Sequence, residues 1–262
     1  MDKKKENWAA GDIYEQFMGR WSRVVAVEFL KWLDILPGQM WLDVGCGTGA
    51  LTQAIKDQQE PDKVIGLDFS LDFVQHASRG NARSYFVNAD GSVLPFADRL
   101  FDAIVGGLAL NFIPQPEKAV TEMRRIVKPD GVVSAYVWDY ADKMEFLRYF
   151  WDATLELDSG AITFHEGKRF PICQPDVLHN VWQKAGLQNI LVEAIDVPTI
   201  FDNFEAYWQP FTVGNFPAPK YVSGLNEKQQ ITLHNHLKSI IPTEEDGSIH
   251  LIARVWAIRG YR

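Results

Sequence analysis

The hydrophobic pattern changes most sharply after residue 44. An apolar run, Met40 to Val44, gives way to Gly45-Cys46-Gly47-Thr48-Gly49; Ala50, Leu51, Ala54 and Ile55 then fall at helical spacing. That order predicts a strand, a glycine turn and a helix. Further apolar runs predict strands over 63–68, 84–90, 99–105 and 132–138. Phe73, Val74 and Ala77 mark a helix between the second and third. Pro116 opens another, whose Ala119, Val120, Met123, Ile126 and Val127 form an apolar stripe, and residues 128–131 read as a turn. Alternating strands and helices predict an open α/β sheet, doubly wound.

The flanks are less regular. Residues 1–11 are polar and read as a frayed end, and Asp12 to Phe17 as a short helix. Ser22 is a candidate N-cap for a helix carrying Val24, Val27, Leu30 (or Phe29) and Leu33 on one face, ended by Pro37-Gly38. Beyond Trp138 the pattern predicts helices over 142–157, 176–185 and 227–241. Strands are expected over 187–200 and 249–258, with a long loop over 158–174. The stretch 201–221 is rich in aromatics, glycine and proline.

At 262 residues and 47% apolar, the chain is ample for one buried α/β core. The net charge of −8 argues against a broad surface for nucleic acid or anionic membrane. Two cysteines, Cys46 and Cys173, make neither a disulfide framework nor a metal pattern. His234 and His236 sit on a predicted helix at a spacing that does not share a face, so no metal site is expected. No apolar leader follows Met1 and no window is long enough to span a bilayer, so the expectation is a cytoplasmic protein.

The candidate chemistry gathers at strand ends. Asp43 stands at the end of the first strand, where open α/β sheets bind ligands, and bare glycine backbone follows it. Asp68 ends the second strand about 20 residues past the glycines, where nucleotide folds place a ribose-binding acid. Asp90 ends the third. The glycines are spaced G-x-G-x-G, whereas the dinucleotide fingerprint is G-x-G-x-x-G.

The set D-V-G-C-G-T-G at 43–49, G-L-D-F-S at 66–70, N-A-D-G-S-V-L-P-F at 88–96 and F-D-A-I-V at 101–105 resembles the class I S-adenosylmethionine-dependent methyltransferases. The nearest branch is the small-molecule, type 11 or UbiE-like one. The specific motifs run from Trp41 to about Trp138. The resemblance implies a Rossmann-like, seven-stranded sheet, mostly parallel with an antiparallel last strand, plus a helical and loop cap. It implies one methyltransferase domain over 1–262. Within it, 1–36 form an N-terminal cap and helix, 37–139 the cofactor-binding core, 140–248 substrate-side insertions and 249–262 the final strand.

The same resemblance implies methyl transfer from S-adenosylmethionine, with S-adenosylhomocysteine as product, to an oxygen, nitrogen or carbon atom of a small molecule. Cofactor contacts are then expected from Asp43, Gly45, Cys46, Gly47 and Gly49, and from Asp68 with Phe69 and Ser70. Asp90, Gly91 and Ser92 are expected at the adenine, and Leu108 beside the methionine side. Tyr14 and Arg20 (or Arg23) are candidates for the methionine carboxylate, since a carboxylate favours charge-assisted donors. Asn111, Trp138, Tyr140 and Tyr207 are candidates for the acceptor. No catalytic residue follows from the fold, because the cofactor carries the difficult electronics. The implied partner is the small-molecule acceptor, with no nucleic acid or membrane, in a monomer or homodimer. Two other classes fit fewer features: an S-adenosylmethionine-binding protein without turnover, and a nicotinamide-dependent oxidoreductase, which the glycine spacing and Asp90-Gly91 disfavour.

Overall fold

A computed structural model describes residues 18–80, 84–214 and 216–262. Tyr14 and the expected short helix at 12–17 lie outside the described residues. The strands are β1 (Met40–Val44), β2 (Lys63–Asp68), β3 (Tyr85–Asn88), β4 (Phe101–Gly107), β5 (Val127–Trp138), β6 (Gln188–Phe201) and β7 (Ile249–Tyr261). They form one sheet in the order β3-β2-β1-β4-β5-β7-β6. β1 pairs in parallel with β2 and β4, β2 with β3, and β4 with β5. β7 runs antiparallel to β5, from Val132 opposite Tyr261 to Trp138 opposite Val255. The strand order reverses between β1 and β4, the switch point at which such sheets bind ligands.

The chain divides into two compact units. One holds Gly19–Trp138, Ile172–Ile195 and Val255–Arg262. The other holds Asp139–Pro171 and Asp196–Arg254 together with Met18. Residues 172–195, expected among the insertions over 140–248, belong with the sheet. The helix Pro175–Lys184 lays Leu178, Val181 and Trp182 into that core, and the Trp182 indole N–H donates to the Val133 carbonyl at 3.0 Å.

In the sheet unit, β1 is buried from Trp41 to Val44 because parallel strands are covered on both faces. Two local expectations are corrected. Ser22 is not an N-cap: the helix runs Arg20–Leu33, capped at Gly19. Its buried face is Trp21, Ser22, Val25, Ala26, Phe29, Leu30 and Leu33, while Val24 is exposed. The aromatic and aliphatic side chains that the core accepts decide the helix phase, and the polar Ser22 is carried inside with them. Residues 128–131 are not a free turn either. They lie within β5 as a bulge, since Phe101 pairs with Val127 and Ala103 with Val132. The extra residues are accommodated by a left-handed Asp130, at φ 62°. The apolar stripe of the helix Pro116–Ile126 is buried as its spacing predicts.

In the other unit, the helix Glu145–Leu157 buries Phe146, Phe150 and Trp151. Phe146, Phe150 and Phe211 stack with ring centroids 4.3–4.6 Å apart. Phe201 and Tyr207 close the cluster against Phe146 at 5.6 and 5.5 Å. The expected loop at 158–174 folds instead into three short helices, Ser159–Thr163, Glu166–Arg169 and Pro171–Cys173. Asp158 and His165 cap the first two with side-chain acceptors, a local signal that hydrophobic periodicity does not register. The helix Glu227–Ile240 starts with a capping box between Asn226 and Gln229. Among the described residues no helix is long and apolar enough to cross a membrane.

Asp102 ties three strands of the sheet together. Its Oδ2 accepts the Met40 N–H at 2.9 Å and its Oδ1 meets the Lys128 ammonium at 2.7 Å. Burial pushes this carboxyl up, but Lys128 and the Met40 N–H outweigh it and hold it below its usual range. A depressed carboxylate stabilises above its unfolded pKa and loses that contribution only as pH falls through the folded one. Asp102→Ala should therefore cost about 1–3 kcal/mol. Guanidinium unfolding should find the loss constant from roughly pH 5 to 8.

Candidate functional site

The glycine turn after β1 has backbone demands that account for its composition. Gly45, Gly47 and Gly49 adopt φ of 76°, 52° and 92°, a region that side-chain-bearing residues seldom occupy. A β-carbon at Gly45 would also overlap Ala109 in the segment after β4. The turn is joined to the end of β2. The N–H groups of Gly45 and Cys46 both donate to the Leu67 carbonyl, at 2.7 and 2.9 Å. The Gly47 N–H donates to Asp68 Oδ2 at 2.9 Å.

Asp68 uses its other oxygen, Oδ1, to accept the Ser70 N–H at 2.8 Å. Ser70 Oγ in turn accepts from Phe73 N–H at 3.4 Å and caps the helix Leu71–Gly80. Asp68 is half-buried. Burial raises its pKa, and the N–H groups of Ser70, Gly47 and Phe69 oppose the rise. Asn88, opposite Asp68 in β3, donates from its side chain to the carbonyls of Asp68 and Phe69 at 3.0 and 2.8 Å. These contacts hold the end of β2 in place. Phe69 and Leu71 stay exposed beside it.

Asp43 is fully buried. Its Oδ2 accepts the Thr52 hydroxyl at 2.6 Å, and Thr52 adds its backbone N–H. Thr52 lies in the first turn of the helix Ala50–Gln58, so an acid on the preceding strand satisfies one of that helix's free donors. Burial pushes the Asp43 carboxyl up to about 7; Thr52 opposes this and the charge of Asp68 adds to it. Cys46 is buried as well. Burial, then Asp43 and Asp68, drive its thiol far up, so it sits in the turn as a neutral side chain.

The loop after β3 carries the third acid. Asp90 Oδ1 accepts both the N–H and the hydroxyl of Ser92, each at 2.8 Å. Those bonds hold its pKa below the usual range. Gly91 packs where a β-carbon would meet Val44 of β1 at 3.2 Å and Ile113 at 3.1 Å. The loop is clamped from below: Glu122 accepts from Leu94 N–H at 3.0 Å, and Arg125 donates to the carbonyls of Leu94 and Phe96 at 3.0 and 2.9 Å. After β4, Leu108 holds a left-handed φ of 56° and donates its N–H to the Tyr136 carbonyl at 2.9 Å. A branched residue there is a strained backbone of the kind found at binding sites. Asn111 follows on a short 3-10 helix, Leu110–Phe112, with its Nδ2 buried and without a hydrogen-bond partner among the described residues.

The carboxyl ends of β1 to β4 thus bring together Asp43, Gly45, Cys46, Gly47, Gly49, Asp68, Phe69, Ser70, Asp90, Gly91, Ser92 and Leu108. Arg20 and Arg23 belong to one continuous helix, three residues apart, so they share a face. The Arg20 guanidinium lies 4.5 Å over the Trp21 ring. Trp138 is buried at the end of β5. In the other unit Tyr140 is half-buried with its ring 6.0 Å from Phe170. Tyr207 is corrected as a pocket residue: it is fully buried in the aromatic cluster and donates its hydroxyl to the Phe146 carbonyl at 2.8 Å. Thr52, Asn88, Glu122 and Arg125 escaped the sequence reading. Only the Asn88 position, opposite Asp68 in adjacent parallel strands, left a usable signal.

A family described as a methyltransferase domain matches residues 42–135. The demethylmenaquinone methyltransferase of Renibacterium salmoninarum is 37% identical over 112 residues, covering 43% of this chain and 45% of that protein. The chain spans about half the length of the curated relatives it matches. Among solved structures, a Bacillus halodurans protein assigned as a methyltransferase aligns over 90% of this chain and 97% of its own, at TM-score 0.59 and 16% identity. A Haemonchus contortus phosphoethanolamine N-methyltransferase, crystallised with S-adenosylhomocysteine, aligns over 100% of this chain and 58% of its own, at TM-score 0.59 and 15% identity. At those identities the structural likeness speaks to the fold alone. Sheet order, glycine turn, strand-end acids and the family match converge on one stretch: residues 42–135 match the methyltransferase-domain family, on a sheet with the Rossmann-like order of its solved structural neighbours.

Proposed function

We propose that this chain transfers a methyl group from S-adenosylmethionine to an oxygen, nitrogen or carbon nucleophile on a small molecule. The observation that carries the reading is the Asp68 carboxylate, held by Gly47 and Ser70 N–H groups at the end of β2 beside the bare glycine turn. Each of its oxygens retains a lone pair, so it can accept from both ribose hydroxyls while keeping those bonds. Asp90 has Oδ1 committed to Ser92, which leaves Oδ2 to accept from the exocyclic amine of adenine in this reading. Exposed Phe69 and Leu71 offer apolar cover to a purine ring. The donor and acceptor set therefore fits this cofactor. It fits a pyrophosphate poorly, because the Asp68 carboxylate already takes the Gly47 N–H of the turn and sets a negative charge beside it.

The cofactor supplies a methyl group already activated by a sulfonium. The protein's part is alignment and exclusion of water, and a base is needed only where the acceptor holds its proton at working pH. In this reading the segments 140–171 and 196–248 supply the substrate-side insertions of one methyltransferase domain. Arg20 or Arg23 serves the methionine carboxylate. Asn111 and Tyr140 are kept as candidates for the acceptor, whereas Trp138, buried like Tyr207, is not. A cytoplasmic place, a monomer or homodimer, and no nucleic-acid or membrane partner belong to the same proposal. Titration with S-adenosylmethionine and NAD tests the cofactor, with binding of the first alone expected. Release of labelled methyl to a panel of small acceptors tests turnover, and a chain that binds but never transfers would be a binding protein only.

Two substitutions probe the acids separately. Asp68→Ala should weaken S-adenosylmethionine by roughly 1.5–3 kcal/mol, about ten- to a hundredfold. Asp68→Asn should approach that loss, because one of the Gly47 and Ser70 N–H groups would then face an amide NH2. Calorimetry on folded variants decides the point, and unchanged affinity in Asp68→Ala removes the ribose role. Asp90→Asn keeps the oxygen that Ser92 needs and replaces only the outward one. It should leave the melting temperature unchanged while weakening the cofactor by on the order of 1–3 kcal/mol.

A further inference from the structure

Asp43 poses an electrostatic problem that the glycine turn does not solve by itself. The carboxyl is fully buried, and its Oδ1 has no hydrogen-bond partner among the described residues. Thr52 serves the other oxygen from the helix Ala50–Gln58. The charged and titratable groups that face it are Asp68, from the end of β2, and the Cys46 thiol of the turn. Neither is a cation. A buried carboxylate beside a second carboxylate is costly, so the neutral acid is favoured until positive charge arrives.

We propose that cofactor binding is proton-coupled through Asp43, which is protonated in the cofactor-free protein and ionises when the ammonium end of the cofactor is seated along the glycine turn. The inference rests on the function proposed above. The bond that breaks is the carboxyl O–H, its proton passes to solvent, and the electron pair stays on the carboxylate as counter-charge to the ammonium. The carboxyl's shift up to about 7 puts this exchange in the neutral range. Affinity for a cationic ligand then rises by up to tenfold per pH unit below neutrality and levels off above it.

The sign for stability follows from the same shift. The folded pKa lies above the unfolded value of 3.8, so a penalty appears as pH rises from about 3.8 through 7. Relative to Asp43→Asn, the cofactor-free wild type should lose melting temperature across that window.

The direct test is calorimetry near pH 6.5 in two buffers of different ionisation enthalpy. Wild type and Asp43→Asn are titrated with S-adenosylmethionine and with uncharged 5′-methylthioadenosine. Wild type should release most of a proton with the first and none with the second, and Asp43→Asn should release none. Titration of the ligand's own amine is common to both proteins, so the difference belongs to Asp43. Should Asp43→Asn fail to fold, infrared difference spectra of the wild type serve instead. A protonated-carboxyl band should vanish on adding S-adenosylmethionine and persist with 5′-methylthioadenosine. Equal proton counts in both proteins, or a difference spectrum without that band, overturn the proposal and leave the methyltransferase reading standing. If neither ligand binds wild type, both fall together.

Discussion

The hydrogen bond from the Gly47 N–H to Asp68 is the contact on which the rest of the site depends. β1 lies between β2 and β4, so the chain leaving it must turn sharply to enter a helix that covers the sheet. Three residues in the left-handed region make that turn, and it exposes N–H groups that need acceptors. β2 provides them: the Leu67 carbonyl takes two and the Asp68 carboxylate a third. The same carboxylate then fixes Ser70, which caps the next helix. One side chain thus sets the spacing of two strand ends, and a ligand spanning them meets a site organised before it arrives.

Three aspartates at neighbouring strand ends differ only in surroundings. Asp43 is sealed beneath the turn and pushed up to about 7, chiefly by burial. Asp68 is half-buried, with burial partly offset by three N–H groups. Asp90 is open and held down by Ser92. Negative charge therefore becomes easier to hold from β1 to β3. A cofactor with a cationic amino-acid end and a neutral base matches that gradient, with its positive charge where the protein most needs it. A dinucleotide would present the opposite pattern.

Much of this was legible from residue order. The change from strand to helical period marks the turn, and the acids at 43, 68 and 90 are found at or just past the ends of apolar runs. The failures have common causes. Ser22 has good capping chemistry, yet Trp21, Val25 and Phe29 bury one face and set the helix start three residues earlier. Residues 128–131 have turn composition, but pairing on both sides of β5 draws them into the strand as a bulge. Thr52 is invisible because nothing local distinguishes a threonine in a first helical turn. Its role depends on an acid that only the fold brings near. Tyr207 shows the reverse error: aromatics lining a pocket and aromatics filling a core have the same sequence signature, and only burial separates them.

The unit holding 139–171 and 196–254 bears on how the proposed transfer is driven. Several side chains from which a base would be drawn are occupied in local structure. The Asp139 carboxylate accepts from the N–H groups of Asp142 and Lys143, at 3.2 and 3.3 Å. His165 accepts from the Gly167 N–H at 3.0 Å, and burial, the largest influence on it, lowers its pKa, which disfavours the charged form. Tyr207 is fixed to a backbone carbonyl, and burial drives its hydroxyl far above the usual range. A protein that commits these groups to its own turns and core suits an acceptor that is nucleophilic without help. For such an acceptor, in the proposed reading, the rate depends on holding two reactants in line and not on proton transfer.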